Sequence, residues 1–101
     1  MTFELDIAWD PAKAKLNRAK HGVSFAQAAT VLTDPLALTI FDAAHSRDEE
    51  RWFTLGMPSD GALLAVTHTF QIVRPDSALV RIISAREATR RERRQYENKF
   101  R

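Results

Sequence analysis

The spacing of apolar and polar residues changes along the chain, and the changes mark out its elements. Phe3 to Trp9 begins with strict alternation, the pattern of a half-exposed strand. Asp10-Pro11 predicts a helix start, with Asp10 as N-cap and Pro11 in the first helical position; Gly22, just after His21, predicts a left-handed C-cap. A second helix is predicted from Ser24. Gln27 completes a capping box there, and Phe25, Ala28, Ala29 and Leu32 form one apolar stripe. Asp34-Pro35 ends it, because a residue before proline is pushed out of helical geometry. Strand-like runs follow at 36–41, 50–57, 62–70 and 79–85, joined by polar segments at 42–48 and 58–61 and by a longer hairpin loop at 71–78. Ser84 and Glu87 have capping-box spacing, which predicts a turn there and a last helix reaching Phe100. The order β-α-α-β-β-β-β-α predicts an α+β fold, with an antiparallel sheet and the helices packed on one face. The length of 101 residues predicts a single domain over 1–101.

Composition narrows the function. There is no cysteine, so disulfides, thiol chemistry and cysteine zinc sites are excluded. No apolar run approaches the roughly 20 residues of a membrane-spanning helix, and the start of the chain lacks a basic, then apolar, leader pattern. The expectation is a cytoplasmic protein with no membrane partner. Net charge is only +2, but it is uneven. Residues 86–101 hold seven basic and three acidic side chains, a net +4, which leaves −2 for the rest. Arginines outnumber lysines 11 to 4, and arginine is the cation whose planar fork matches phosphate. A polyanion is the expected partner.

The candidate chemical residues are polar groups in unusual places. His68 lies in an apolar strand, where it is either a satisfied core histidine or an acid or base aimed at a cleft. Arg81 interrupts Leu79-Val80 and Ile82-Ile83 and therefore needs a carboxylate, with Glu50 or Asp42 expected, or a surface groove. Glu50-Arg51 opens a strand, and Lys20-His21 closes the first helix, where the dipole favours cations. His45 falls in a polar loop and reads as a surface residue. The histidines lack metal-motif spacing and three glycines make no phosphate loop, so no metal or cofactor is expected. Together the groups suit cleavage of RNA without a metal: a base takes the 2′-hydroxyl proton, cations hold the phosphorane charge, and an acid protonates the leaving oxygen. A different class also fits the basic helix, namely a non-catalytic module that binds nucleic acid or a protein partner.

Three segments carry a resemblance. They are Trp9-Asp10-Pro11-Ala12-Lys13 through Lys20-His21-Gly22-Val23-Ser24-Phe25; Asp34-Pro35-Leu36-Ala37 through His45-Ser46 and Glu49-Glu50-Arg51; and Arg81-Ile82-Ile83-Ser84-Ala85-Arg86 through Arg93. On these residues the chain resembles the BrnT family of bacterial type II toxins, ribonucleases paired with the antitoxin BrnA. The resemblance implies a RelE-like fold, translation arrest by RNA cleavage and neutralisation by a BrnA-like antitoxin. It also implies promoter repression by the complex, with the antitoxin supplying the DNA contact. A degenerate toxin that still binds its antitoxin is a further alternative. Ile7-Ala8 stands where the family has Phe-Glu, and 71–78 looks longer than usual. The expected catalytic set is Lys20, His21, Glu50, Arg51, His68, Arg81 and Arg86 around one concave sheet face. Arg81 and Arg86 are expected to hold the phosphate, with proton transfer left among Lys20, His21, Glu50 and His68. Arg90, Arg91, Arg93, Arg94 and Tyr96 are expected to face RNA or antitoxin.

Overall fold

The structure, a computed structural model, describes residues 3–98, so the expectation of a helix reaching Phe100 lies partly outside the described residues. The chain runs β1 (Glu4–Ala8), α1 (Pro11–His21), α2 (Phe25–Val31), β2 (Leu38–Phe41), β3 (Trp52–Gly56), β4 (Leu64–His68), β5 (Gln71–Arg74), β6 (Ser77–Glu87) and α3 (Arg90–Asn98), with a short 3₁₀ turn at Ala43–His45. The strands form one sheet ordered β1-β6-β4-β3-β2, with β5 also paired to β6. The fold is α+β.

The first two helices form where their caps predict. Asp10 Oδ1 accepts the Ala12 N–H at 2.9 Å, and Gly22 at φ 71° closes α1 by donating to the Arg18 carbonyl. Ser24 Oγ accepts the Gln27 N–H at 3.0 Å, but the Gln27 amide does not reach back to Ser24. It donates to the Asp60 carbonyl instead, tying α2 to the β3–β4 turn. Both helices pack on one sheet face, where Val23, Phe25, Ala28 and Val31 meet Leu64, Val66, Ile82 and Ala85. Burying each of the larger side chains contributes about 1.5–3 kcal/mol. Trp9 closes this core edge-on against Phe25, with ring centroids 6.3 Å apart. The approach of α2 to β3 depends on Gly56, where a Cβ would stand 2.7 Å from Val31 Cγ1.

Four expectations are corrected. The segment 71–78 is not a loop: Gln71–Arg74 forms β5, and Pro75-Asp76 is the tight turn into β6. The sheet is not wholly antiparallel, because β1 runs parallel to β6 from Glu4↔Ser77 to Ala8↔Arg81. No turn occurs at Ser84; β6 continues to Glu87 because β4 pairs with it as far as Leu64↔Glu87. The capping box that starts α3 is Thr89 with Glu92. The Thr89 N–H donates to Glu92 Oε1 at 2.8 Å, and the Glu92 N–H donates to Thr89 Oγ1 at 3.2 Å.

The fourth correction concerns the sheet faces. A bulge in β6 breaks its alternation: Thr67 pairs with Ser84 but His68 with Ile82, leaving Ile83 as the extra residue. Ile82 and Ala85, an odd number of positions apart, therefore both enter the core beneath α1 and α2. Arg81 and Arg86 both fall on the opposite face. That is also where α3 docks, so the three helices do not share one face. Two polar contacts anchor α3. Glu92 holds Arg86, and the Tyr96 hydroxyl donates to Asp34 Oδ2 at 2.6 Å.

Candidate functional site

The face opposite α1 and α2 carries a groove of about 500 Å³ lined by Ile40, Phe41, Asp42, His45, Arg51, Phe53, Thr67, Ile83, Ser84 and Arg86. Phe53 on β3 and Arg51, just before that strand, line this side, and the β6 bulge sets Ser84 and Arg86 beside them. The floor is Phe53, and the Arg86 guanidinium lies 5.8 Å from its ring centroid.

Arg86 is held as a fork. Its Nη1 and Nη2 donate to Glu92 Oε1 and Oε2 at 2.7 and 3.0 Å, and Nη1 also reaches the Glu87 carbonyl at 3.3 Å. This hydrogen-bonded pairing lowers the Glu92 carboxyl to about 2 and raises the Arg86 guanidinium above its ordinary value. Arg51 differs. The residue lines the groove, while its Nε is buried and has no hydrogen-bond partner among the described residues.

Arg51 is joined to the preceding loop through Ser46. Ser46 Oγ donates to the Asp42 carbonyl and accepts the Arg51 N–H at 2.9 Å, while the Asp42 N–H donates to the Arg51 carbonyl at 2.8 Å. Within this closed loop, His45 Nδ1 lies 2.9 and 3.1 Å from the two carboxylate oxygens of Asp42. His45 also borders the adjoining depression formed with Arg47, Asp48, Glu49 and Arg51.

The other expected residues divide. Lys20 and His21 line a shallow depression with Lys13, Leu16 and Asn17 that shares Ile83 and Ser84 with the arginine groove, so they stand at its rim. Asn17 puts them there: its amide donates to the carbonyls of Val23 at 3.0 Å and Ala85 at 2.8 Å, and its oxygen accepts the Ala85 N–H at 3.1 Å. It thereby satisfies the edge of β6 beyond the end of β1. Arg81 lies on the same face but in a separate depression with Glu49, Glu50, Thr69 and Leu79. Its partner is Glu49, not Glu50 or Asp42.

His68 lies on the other side of the sheet. It is 3% exposed, its Nε2 is 2.7 Å from Thr54 Oγ1, and its Nδ1 is 2.9 Å from the Thr69 carbonyl. Burial lowers its pKa, against a smaller raising effect of the Thr69 carbonyl. The seven expected residues thus do not surround one concavity: Arg51 and Arg86 share a groove, Lys20 and His21 border it, Arg81 and Glu50 sit apart, and His68 is beneath the sheet. Arg90, Arg91, Arg93 and Arg94 are exposed, whereas Tyr96 turns inward to Asp34, its hydroxyl pushed up to about 12 by burial and by that carboxylate. Sequence reasoning gave Asn17 and Glu49 no role, read His45 as a surface residue, and named Asp42 only as a partner for Arg81. The Asp-x-x-His spacing of Asp42 and His45 was the one local signal available.

Residues 9–92 match the family model described as the ribonuclease toxin BrnT of type II toxin-antitoxin systems. The chain belongs to the BrnT family. Among solved structures, the ribonuclease toxin BrnT of Brucella abortus is similar, with a TM-score of 0.60 and 26% identity over 86% of this chain and all of that one. A comparison with curated proteins finds no match. Membership in the BrnT family makes RNA the target class and implies an antitoxin partner. Among the described residues, no helix is long and apolar enough to cross a membrane.

Proposed function

We propose that this BrnT-family chain is a metal-independent endoribonuclease of RelE-like fold that acts in the cytoplasm and arrests translation. A BrnA-like antitoxin neutralises it, and promoter DNA is reached only through that complex. The observation that carries the reading is the presence of Arg51 and Arg86 in one groove. Two guanidinium groups lining one groove suit a phosphodiester, whose oxygens accept charge-assisted hydrogen bonds from arginine.

In this reading Arg51 and Arg86 hold the scissile phosphate and stabilise the negative charge that builds during 2′-hydroxyl attack. Lys20 and His21, across the Ile83–Ser84 rim, supply positive charge and a proton near the leaving oxygen. Arg81, with Glu49 and Glu50 beside it, engages a neighbouring phosphate on the same face. The exposed Arg90, Arg91, Arg93 and Arg94 draw in RNA or an acidic stretch of antitoxin, and Tyr96 secures the helix that bears them. His68 supports the sheet from below.

An Arg51→Ala, Arg86→Ala double variant is the test. Removing a single charge-stabilising donor typically costs about 10²–10³ in rate, so the pair should lose at least that much while still binding antitoxin. Undiminished cleavage would remove the groove from the mechanism. A wild-type chain that binds RNA but never cuts it would favour the non-catalytic module or a degenerate toxin.

A further inference from the structure

We propose that His45, oriented by Asp42, is the group that takes the proton from the ribose 2′-hydroxyl; the assignment rests on the nuclease reading above. Three observations support it. First, the ring has one nitrogen committed and one open. Nδ1 is held by both Asp42 oxygens, and Nε2 makes no hydrogen bond among the described residues. With Nδ1–H donated to the carboxylate, the neutral ring presents its Nε2 lone pair outward.

Second, the ring is accessible and in the right place. Its side chain is 68% exposed while that of Asp42 is 23% exposed, so the carboxylate is sheltered and the imidazole faces the groove with Arg51 and Arg86. Third, the loop is braced to the phosphate-binding strand. Ser46 bridges the Asp42 carbonyl and the Arg51 N–H, and Asp42 and Arg51 share a backbone bond. A closed loop of this kind fixes His45 relative to Arg51, which a proton acceptor beside a bound phosphate requires. The rival His68 has both nitrogens engaged on the buried side of the sheet.

The step balances without a co-reactant. Nε2 accepts the 2′-hydroxyl proton, the 2′-oxygen bonds to phosphorus, and the bond from phosphorus to the 5′-oxygen breaks as that oxygen gains a proton from the rim cations or water. The products are a 2′,3′-cyclic phosphate and a 5′-hydroxyl. Asp42 is a positioning residue: it sets the tautomer and stabilises the imidazolium that forms.

The experiment compares wild type, His45→Ala and Asp42→Asn on a single-stranded RNA oligonucleotide in EDTA, with a 2′-deoxy version as a non-cleavable binding probe. His45→Ala should cut about 10²–10⁴-fold more slowly, bind the deoxy probe as wild type does, and recover rate with added imidazole. Asp42→Asn should lower kcat with little change in KM. The other charges around the ring, Arg47, Asp48, Glu49, Arg51 and Arg86, stay constant in that comparison. A His45→Ala protein that cuts at the wild-type rate would overturn the assignment and leave the nuclease reading standing. Loss of probe binding in step with cleavage would overturn it too, making His45 a binding residue. A folded wild type that cuts no RNA would remove both.

Discussion

Asn17 on α1 and Ala85 on β6, 68 residues apart in sequence, exchange two hydrogen bonds as neighbouring strands do. The Asn17 amide completes the edge of β6 where β1 has ended, and its third bond holds the Val23 carbonyl after the helix. Asn17→Ala leaves three buried backbone groups without partners and should destabilise the fold by about 2–4 kcal/mol, read as a lower urea midpoint. Because α1 also brings Lys20 and His21 to the groove rim, any remaining folded variant should cut RNA more slowly. A midpoint equal to wild type would show that the amide is dispensable.

Local signals in the sequence were sufficient for α1 and α2. Asp10-Pro11, Gly22 and Ser24 act within a few residues of themselves, so their effects are readable without a fold. The error at Ser84 had the opposite origin. Ser84 and Glu87 have capping-box spacing, but Thr67, Ala65 and Asn17 offer partners from distant parts of the chain, and those long-range bonds keep the segment extended. The bulge at Ile83 is likewise set by pairing with β4, and so the common face of Arg81 and Arg86 could not be read from alternation. Arg51, Arg86, Lys20 and His21 were legible as candidates from their residue types. His45 was not, because its role depends on a loop closed by Ser46.

The Arg86–Glu92 pair predicts an acid limb in stability. Glu92 sits at about 2 in the folded protein against 4.5 ordinarily, with the Arg86 hydrogen bonds the largest cause. A depressed carboxyl contributes stability that is complete above its unfolded pKa and is lost as pH falls from 4.5 through about 2. Urea midpoints measured across that range should fall, and Glu92→Gln should flatten the fall while lowering the plateau above it. An unchanged acid limb in Glu92→Gln would assign the effect to another carboxyl.

His68 predicts a second pH effect with a separate window. Its folded pKa is below 6.5 because burial opposes the charged ring, so stability is complete above 6.5 and declines as pH falls below it. In a His68→Gln variant that decline should weaken. Cleavage by the variant should track its folded fraction, since the residue lies beneath the sheet. A large loss of kcat in fully folded His68→Gln would return it to the catalytic set.

The exposed arginines of α3 should act through bulk charge. Replacing Arg90, Arg91, Arg93 and Arg94 with glutamine should weaken RNA binding at low salt. It should also flatten the plot of log affinity against log salt, by about 0.7 for each phosphate of single-stranded RNA that the helix no longer neutralises. Cleavage at saturating RNA should change little. A variant with an unchanged salt slope would make α3 a surface for something other than nucleic acid.

The most direct test of the central claim is to incubate the purified chain with single-stranded RNA in EDTA and identify the ends of the products. The account predicts cleavage with 2′,3′-cyclic phosphate and 5′-hydroxyl ends, abolished when the 2′-hydroxyls are replaced by hydrogen. Cleavage that stops in EDTA, or that leaves 5′-phosphate ends, would contradict it.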